Sequence, residues 1–205
     1  MSERMLSDQG LDLLFREART HKGWQDREVS DVMLQAVYDL AKWAPTSANC
    51  QPMRVVFAKS TEAKEKLRPA LMAGNVDKTI AAPACAIIAY DLEFHEKLPE
   101  LFSQADARSW FAGKPDAIQE NAFRNGSLQG AYLIIAARSL GLDCGPMSGF
   151  DKEMVNEAFF PEGKWKVNFL CNIGYGDPEA LPPRDTRLGF DEALEVITQL
   201  WTGEP

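Results

Sequence analysis

Two pairs of arginines, one near each end of the chain, combine a residue type and a spacing that could hold an anion. Arg16 and Arg19 lie in "REARTHKGW", and Arg184 and Arg187 lie in the proline-rich stretch "PPRDTRL". A guanidinium group can grip a phosphate with two parallel hydrogen bonds, so two such pairs that converge in space would form a phosphate clamp. Each pair taken alone is more typical of a solvated helix end or a surface loop.

Three further stretches place polar groups where regular structure should stop. The stretch "WAPTSANCQPM" carries two hydroxyls, two amides and a thiol between Pro45 and Pro52, which predicts either a helix stop or a hydrogen-bonding wall around a ligand. In "GNVDKTIAAP", Asn75 and Lys78 would share one face of a helical turn, or would form a helix end followed by an exposed lysine. The stretch "GLDCGPMSGF" cannot continue a helix, and it should either form a simple turn or leave backbone N–H groups free to point at an anion.

The elements that must position these stretches alternate between helix and strand, which indicates a layered α/β or α+β fold. Apolar residues at helical spacing predict helices over 7–19, 30–44, 61–74, 115–140, 151–160 and 191–202. Short apolar runs predict strands over 54–58, 84–91 and 166–176. Within the helix over 115–140, the stretch "SLQGAYLIIAARSL" is apolar nearly all round, so we expect this helix in the core or at a subunit interface. No clear linker interrupts the chain, and we expect one domain over 1–205.

The composition argues against several classes of protein and predicts a cytoplasmic one. The 205 residues carry a net charge of −8, which argues against nucleic acid or an anionic membrane surface as the main partner. No apolar run approaches the roughly 18–20 residues that span a bilayer, and the N-terminus lacks an apolar signal segment. The four cysteines lie far apart and predict free thiols in a reducing cytosol. The two histidines, His21 and His95, have no metal-ligand spacing.

Common nucleotide loops and nucleophilic sites are weakly supported. The stretch "GYGDPEA" has the first two glycines of a dinucleotide-binding motif but not the third, and G-x-x-x-x-G-K-[ST] does not occur. A thiol enzyme built on Cys50 and His21 can be imagined, as can Ser47 or Ser148 as a nucleophile. Neither serine lies in G-x-S-x-G, so nucleophilic hydrolysis is disfavoured.

Taken in chain order, these stretches resemble the FMN-dependent nitroreductase family over nearly the whole sequence. The stretch "APTSANCQP" is similar to the family's "PSSxNxQPW" loop, and "GNVDKTIAAPACAII" is similar to the segment whose asparagine and lysine reach the flavin. The stretch "LGLDCGPMSGF" resembles the "LGLxxxPxxGF" turn, and "RDTRL" resembles the basic tail. The stretches "EARTHKGW", "DARSWF" and "FRNGSLQGAYL" look closest to the branch of malonic-semialdehyde reductases and NADH dehydrogenase/NAD(P)H nitroreductases.

The resemblance implies an α+β fold, a three-layer α-β-α sandwich with a mainly antiparallel central sheet, assembled as a domain-exchanged homodimer. FMN would bind at the subunit interface, and the C-terminal tail would reach over to the partner. NADH or NADPH would pass hydride through FMN to a small electrophile in a ping-pong cycle. The expected acceptor is malonic semialdehyde, giving 3-hydroxypropionate, or a nitro or quinone compound. An FMN carrier or sensor without turnover is the alternative.

The resemblance also implies roles for individual residues, with no catalytic side chain because the cofactor supplies the chemistry. The residues expected at the FMN phosphate are Arg19, His21, Arg184 and Arg187. Those expected along the isoalloxazine are Pro45, Thr46, Ser47 and Asn49, with Asn75 and Lys78 at its pyrimidine edge. Those expected around flavin N5 are Pro146, Met147, Ser148 and Gly149, the last two through their backbone. Arg108 in "DARSWF" is expected to hold a substrate carboxylate.

Two departures from the family pattern leave assignments open. The common N-terminal motif is R-x-S-x-[RK], whereas this chain has an imidazole at the third position, so Arg16 remains a rival to Arg19. The arginines of the tail are separated by two residues rather than one, which leaves the roles of Arg184 and Asp185 open. Cys50 lies beside the expected contact positions and is predicted to pack.

Overall fold

A four-stranded antiparallel sheet forms the middle layer of the structure, a computed structural model that describes residues 5–197. The strands are β1 (Met53–Ala58), β2 (Ala84–Asp91), β3 (Asp143–Met147) and β4 (Trp165–Gly174). Their spatial order is β1-β2-β4-β3, and all neighbours are antiparallel. The register pairs Met53 with Tyr90, Ala84 with Ile173, and Asp143 with Gly174. Strands β2 and β4 are therefore central, and β1 and β3 lie at the edges.

The helices of the described residues cover both faces of this sheet. They are α1 (Asp8–Leu11), α2 (Asp31–Ala41), α3 (Thr61–Leu67), α4 (Ala73–Ala81), α5 (Leu98–Leu101), α6 (Pro115–Ser139), α7 (Lys152–Phe159) and α8 (Phe190–Ala193). A π-helical turn, Asp12–Arg16, follows α1. Helices α2, α3 and α7 each begin at a capping residue: Ser30, Ser60 and Asp151 respectively. The side chain of each capping residue accepts a hydrogen bond from a backbone N–H of the first turn, which has no partner within the helix.

Side chains of β2 alternate between two apolar layers, because successive residues of a strand point to opposite faces. Ala86 and Ile88 pack against α2 and α6, whereas Cys85 and Ile87 pack against α3 and α7. Every residue of β2 is buried, as the continuous apolar run predicted. The sheet therefore lies between two helical layers, which confirms the predicted α-β-α sandwich with an antiparallel sheet.

The long helix α6 confirms the prediction for 115–140 and buries only one of its faces. Leu133 and Ala137 lie in the core, while Phe123, Leu128 and Tyr132 remain exposed. Within residues 5–197, no helix combines the length and the apolar character needed to cross a bilayer.

Three sequence predictions of secondary structure were wrong in part. The helix expected over 61–74 is two helices, because Pro69 allows only a short 3-10 turn after α3, and Gly74 lies inside α4 rather than at a helix end. The turn expected after Gly141 contains strand β3, which gains its hydrogen bonds from β4, a long-range partner that local pattern does not reveal. Of the terminal helix expected over 191–202, only Phe190–Ala193 is helical among the described residues, and 198–202 lie outside them.

Candidate functional site

The two ends of the described chain meet at a cavity of about 430 Å³ with a strongly basic lining. The walls are the 15–22 segment, the last turn of α6 and the 182–187 tail. Six basic residues line this basic cavity: Arg16, Arg19, Lys22, Arg138, Arg184 and Arg187. Asp185 is the one acidic residue among the described residues of the lining. The two arginine pairs that the sequence singled out therefore converge in space.

Guanidinium groups bridge the two chain ends across the basic cavity. Arg19 donates from Nη2 to the carbonyl oxygen of Pro182 at 2.5 Å, and Arg184 donates from Nη2 to the carbonyl oxygen of Ala18 at 3.1 Å. These carbonyl groups occupy donors without cancelling the positive charge. Within residues 5–197 neither arginine has a carboxylate partner, so the cavity keeps a net attraction for an anion.

Arg16 differs from Arg19 in its ion pairs. Its guanidinium lies 2.8 Å from a carboxylate oxygen of Asp8 and 2.8 Å from one of Asp12. Two carboxylates compensate its charge locally, so a bound anion would compete with them. Between the two rival arginines of the N-terminal motif, this arrangement favours Arg19.

The His21 side chain is buried and does not line the basic cavity. Its Nε2 lies 3.3 Å from Asp143 Oδ1, and its ring packs against Gly176. Its backbone N–H donates to the carbonyl oxygen of Cys144 at 3.0 Å, which ties the 19–22 segment to β3. Nδ1 is buried and has no hydrogen-bond partner among the described residues. The His21 imidazole thus anchors the 19–22 segment. It does not reach the basic cavity, where its contact with the phosphate was predicted.

Asn75 in α4 and Gly149 after β3 are in direct contact. Asn75 donates from Nδ2 to the carbonyl oxygen of Gly149 at 2.6 Å, and the N–H of Met72 donates to the same oxygen at 3.1 Å. A Cβ at position 149 would lie 2.4 Å from Asn75 Nδ2, so only glycine allows this approach. The structure therefore brings together two of the predicted clusters, "GNVDK" and "PMSG".

The backbone around Ser148 borders an open cavity of about 410 Å³ between α6 and β3. Pro146, Met147 and Ser148 line it on one side, and Ser127 and Ala131 of α6 line it on the other. The N–H groups of Ser148 and Gly149 donate to no other described residue. Free donors at the edge of a mostly apolar cavity match what the sequence predicted for "GPMSG".

Lys78 extends the positive charge of the basic cavity toward α4. Burial lowers the pKa of its ammonium group, and the nearby charge of Lys22 lowers that pKa further. The Lys78 carbonyl accepts hydrogen bonds from Trp24 Nε1 at 2.9 Å and from Asn172 Nδ2 at 3.3 Å. These two bonds fix the end of α4 to the 19–24 segment and to β4.

The polar loop between the two prolines, the 45–52 loop, has a strained backbone. Ala48, Asn49 and Gln51 have φ values of 48°, 51° and 40°, in the left-handed region that residues with a Cβ seldom adopt. Strain of this kind persists only when surrounding contacts enforce it, and it concentrates at functional sites. Thr46 Oγ1 accepts from the N–H of Gln51 at 3.2 Å and closes the loop.

Three amide side chains of α6, which sequence reasoning did not identify, hold this loop. They are Asn121, Asn125 and Gln129, spaced four residues apart and called the amide row below. Their oxygens accept, in that order, from Cys50 Sγ at 3.5 Å, from the Ser47 N–H at 2.8 Å and from the Met53 N–H at 2.9 Å. The available signal was amides at positions i, i+4 and i+8 of the predicted helix, because such positions share one face.

One chain does not bring the 45–52 loop to the basic cavity. The loop is bonded to Asn125, whereas Arg138 in the wall of the basic cavity lies 13 positions further along the same helix. At ~1.5 Å per residue this separation is about 20 Å. Of the predicted isoalloxazine contacts, Pro45, Thr46, Ser47 and Asn49 are thus far from the predicted phosphate contacts of the same chain.

Arg108 lies near this loop, because Ala107 and Cys50 belong to one apolar cluster. Its guanidinium forms two parallel hydrogen bonds to Glu96, at 2.7 and 3.0 Å. The pairing raises the pKa of Arg108 and lowers the pKa of Glu96. A substrate carboxylate would therefore have to share or displace this partner.

Cys50 is buried, as predicted, and burial raises the pKa of its thiol to about 11. The thiolate is the nucleophilic form, so this cysteine is unreactive near neutral pH. All four cysteines are free and buried.

Comparison with known proteins identifies the class. Residues 15–175 match the Nitroreductase family, and the chain belongs to it. A protein of Polynucleobacter asymbioticus named "Putative NADH dehydrogenase/NAD(P)H nitroreductase" is 58% identical over 193 residues, which cover 94% of this chain and 98% of the relative. A protein of Rhodopseudomonas palustris with the same name is 58% identical over 192 residues, which cover 94% and 98%.

Solved structures share the fold. The nitroreductase ydfN of Bacillus subtilis, described as putative, superposes with a TM-score of 0.81 at 22% identity, covering 90% of this chain and 97% of the other. A "putative nitroreductase in complex with FMN" from Exiguobacterium sibiricum superposes with a TM-score of 0.81 at 20% identity, covering 95% and 99%. The predicted family and the predicted fold are confirmed.

Proposed function

We propose that this chain is a cytoplasmic NAD(P)H-dependent FMN oxidoreductase, with one domain over 1–205 in each protomer of a homodimer. The basic cavity carries the proposal, because it collects cations from distant parts of an acidic chain and leaves Arg19 and Arg184 without a carboxylate partner among the described residues. The FMN complex of the Exiguobacterium structure and the NAD(P)H nitroreductase names of the relatives support the same cofactor and reductant.

The residues present fit FMN as a ligand. The phosphate dianion would bind Arg19, Arg184 and Arg187 in the basic cavity, with charge-assisted hydrogen bonds. His21 would support this segment from behind, through its pairing with Asp143. Asn75 and Lys78 would bond the polar edge of the ring, and the open cavity beside Ser148 would hold its apolar part.

A second copy of the chain would complete this site. The 45–52 loop is about 20 Å from the basic cavity of its own chain, so we assign Pro45, Thr46, Ser47 and Asn49 to the partner's site. Exposed apolar residues of α6, namely Phe123, Leu128 and Tyr132, offer apolar surface for the contact. Trp43, which is 77% exposed next to the loop, would be covered as well. The exposed residues Leu188 and Phe190 support the expectation that the tail reaches the partner.

The chemistry would follow from the cofactor, with the chain supplying orientation and charge. Bound FMN supplies hydride transfer between a nicotinamide and an acceptor. The ammonium of Lys78 would stabilise negative charge that develops at the pyrimidine edge, and the free N–H groups of Ser148 and Gly149 would donate near N5. Both substrates would use the same open face in turn, which gives ping-pong kinetics.

The acceptor is a small electrophile in this proposal, first malonic semialdehyde and otherwise a nitro or quinone compound. For a 3-oxo acid, Arg108 would supply the cation for the carboxylate, in competition with Glu96. We expect Arg108→Ala to raise KM for malonic semialdehyde at least five-fold, about one charge-assisted hydrogen bond, while KM for an uncharged quinone stays constant. An unchanged KM for the semialdehyde would remove Arg108 from the site.

Turnover of the FMN-loaded protein tests the proposal. We expect the protein to bind FMN, to sediment as a dimer, and to oxidise NADH or NADPH with aldehyde, nitroaromatic, quinone or enone acceptors. Bound FMN that NADH and NADPH fail to reduce would instead indicate the carrier or sensor. A purified protein that does not bind FMN would refute both.

A further inference from the structure

The amide row contains two buried polar side chains, Asn125 and Gln129, to which the proposed function gives no role. Asn125 is 2% exposed and Gln129 is 3% exposed, so both amides were moved out of water on folding. A buried amide lowers stability unless its hydrogen bonds are formed, and an apolar residue would pack a helix of this kind at no such cost. Buried amides at these positions therefore need hydrogen-bond partners, and the 45–52 loop supplies them.

Asn125 has the strongest position in this row. Its Nδ2 donates to the carbonyl oxygen of Asn121 at 2.9 Å, and that acceptor fixes the orientation of the amide. Its Oδ1 therefore points at Ser47 and accepts the backbone N–H at 2.8 Å. Ser47 immediately precedes Ala48, the first residue of the loop with a left-handed backbone. One buried hydrogen bond thus fixes the point at which the strained segment begins.

We propose that Asn125 is a positioning residue: it holds Ser47 so that the 45–52 loop keeps the strained shape that presents it to FMN. The inference rests on the proposed function for the identity of the ligand, but not for the hold on the loop. The same helix also exposes Phe123 and Leu128, so α6 would connect the contact with the second copy to the loop that enters the partner's site. Asn125 itself touches neither FMN nor substrate in this arrangement.

Asn156 of α7 provides a matched control. It is a buried asparagine, 7% exposed, whose Oδ1 accepts the N–H of Val167 at 2.8 Å. It thus makes the same kind of bond as Asn125, but on the opposite face of the sheet. Asn125→Leu and Asn156→Leu each remove one buried amide and one bond to a backbone N–H.

The experiment compares both variants with the wild type in amide hydrogen exchange of the FMN-free protein and in the Kd for FMN. We expect Asn125→Leu to speed exchange in the 44–53 peptide about ten-fold and to weaken FMN binding about ten-fold. Asn125→Asp keeps an acceptor for Ser47 and should recover part of both losses. Asn156→Leu should leave exchange of that peptide and the Kd unchanged, although its urea midpoint falls by a similar amount.

Two results would overturn the inference and leave the proposed function intact. The first is equal weakening of FMN binding by Asn125→Leu and Asn156→Leu, which would reduce Asn125 to general stability. The second is fast exchange of the loop in Asn125→Leu with an unchanged Kd for FMN. If the wild type itself does not bind FMN, the proposed function fails, and slower exchange of the wild-type loop still supports the hold by Asn125.

Discussion

The basic cavity and the 45–52 loop are both proposed to contact FMN, but the chain builds them by opposite means. The basic cavity joins residues 163 positions apart through exposed guanidinium groups that donate to carbonyl oxygens. The loop is a local segment whose left-handed backbone is held by buried amides of α6. The basic cavity therefore offers the ligand positive charge, and the 45–52 loop offers it a fixed backbone conformation.

This difference follows from what each part of the ligand requires. A phosphate is a compact dianion, and several cations can hold it in more than one geometry because Coulomb attraction is not directional. A flat ring needs hydrogen-bonding groups at defined positions, so the segment beside it must be rigid before the ligand arrives. Substitutions in the basic cavity should thus change affinity and its salt dependence, whereas substitutions around the loop should change stability and shape together.

The largest effect should come from removing two charges of the basic cavity. The double variant Arg19→Gln/Arg184→Gln should weaken FMN binding about 100-fold, about ten-fold for each charge-assisted contact. Its thermal midpoint should change little, because each arginine is exposed and donates only to a carbonyl oxygen. Fluorescence titration of FMN at two salt concentrations measures this, and the variant should also show a flatter salt dependence than the wild type.

Arg16→Gln is the control for the basic cavity, since Asp8 and Asp12 already compensate the charge of Arg16. We expect less than a three-fold change in the Kd for FMN, which is within the range of surface ion pairs. A ten-fold weakening by Arg16→Gln, with Arg19→Gln without effect, would reverse the assignment of the N-terminal phosphate ligand.

A smaller effect is expected from a substitution at Gly149. Gly149→Ala would place a Cβ 2.4 Å from Asn75 Nδ2 and displace this amide from its bond to the Gly149 carbonyl. We expect FMN to bind about ten-fold more weakly. Gly74→Ala is the matched control, because nothing lies within 4 Å of a Cβ there and the residue is helical. It should keep the wild-type Kd and stabilise α4 by up to about 1 kcal/mol.

The same contrast explains which parts of the molecule were predictable. The apolar strand β2 and the long helix α6 depend on local sequence, and the structure confirms them. The convergence of the arginine pairs was predictable only as a possibility, because residues far apart in sequence meet through the fold. The backbone conformation of the 45–52 loop could not be predicted from the sequence pattern, since Ala48 adopts a left-handed backbone that alanine disfavours. Strand β3 was missed because its short "DCGPM" run contains Gly145 and Pro146, which are rare in strands.

His21 and the amide row show the limit of residue type as evidence. His21 lies at the third position of the N-terminal phosphate motif. Its ring nevertheless faces Asp143, because the backbone of the segment pairs with β3. Asn125 and Gln129 looked like parts of an apolar helix, yet they carry the contacts of the loop. In both cases the role of the side chain depends on a contact with a segment distant in sequence, which residue type alone does not reveal.

The smallest effect should be the pH dependence of stability at Lys78, which lies near Lys22 of the basic cavity. Its pKa is lowered below the ordinary value of 10.5, first by burial and then by Lys22, so folding disfavours its ammonium form. In the FMN-free protein this charge lowers stability below the folded pKa, and the cost disappears as pH rises through the folded pKa toward 10.5. Lys78→Gln should therefore raise the thermal midpoint by about 1–2 °C at pH 8, a small shift because solvent still reaches the side chain, and the gain should vanish near pH 10.5. Lys164→Gln should act in the opposite direction at pH 8, because Glu93 raises the pKa of Lys164.

With FMN bound, the effect of Lys78→Gln on the thermal midpoint should reverse its sign, since the ligand would supply the anion that the ammonium lacks. Destabilisation of the FMN-free Lys78→Gln variant at pH 8 would contradict the lowered pKa of Lys78. A gain that persists with FMN bound would place Lys78 outside the cofactor site.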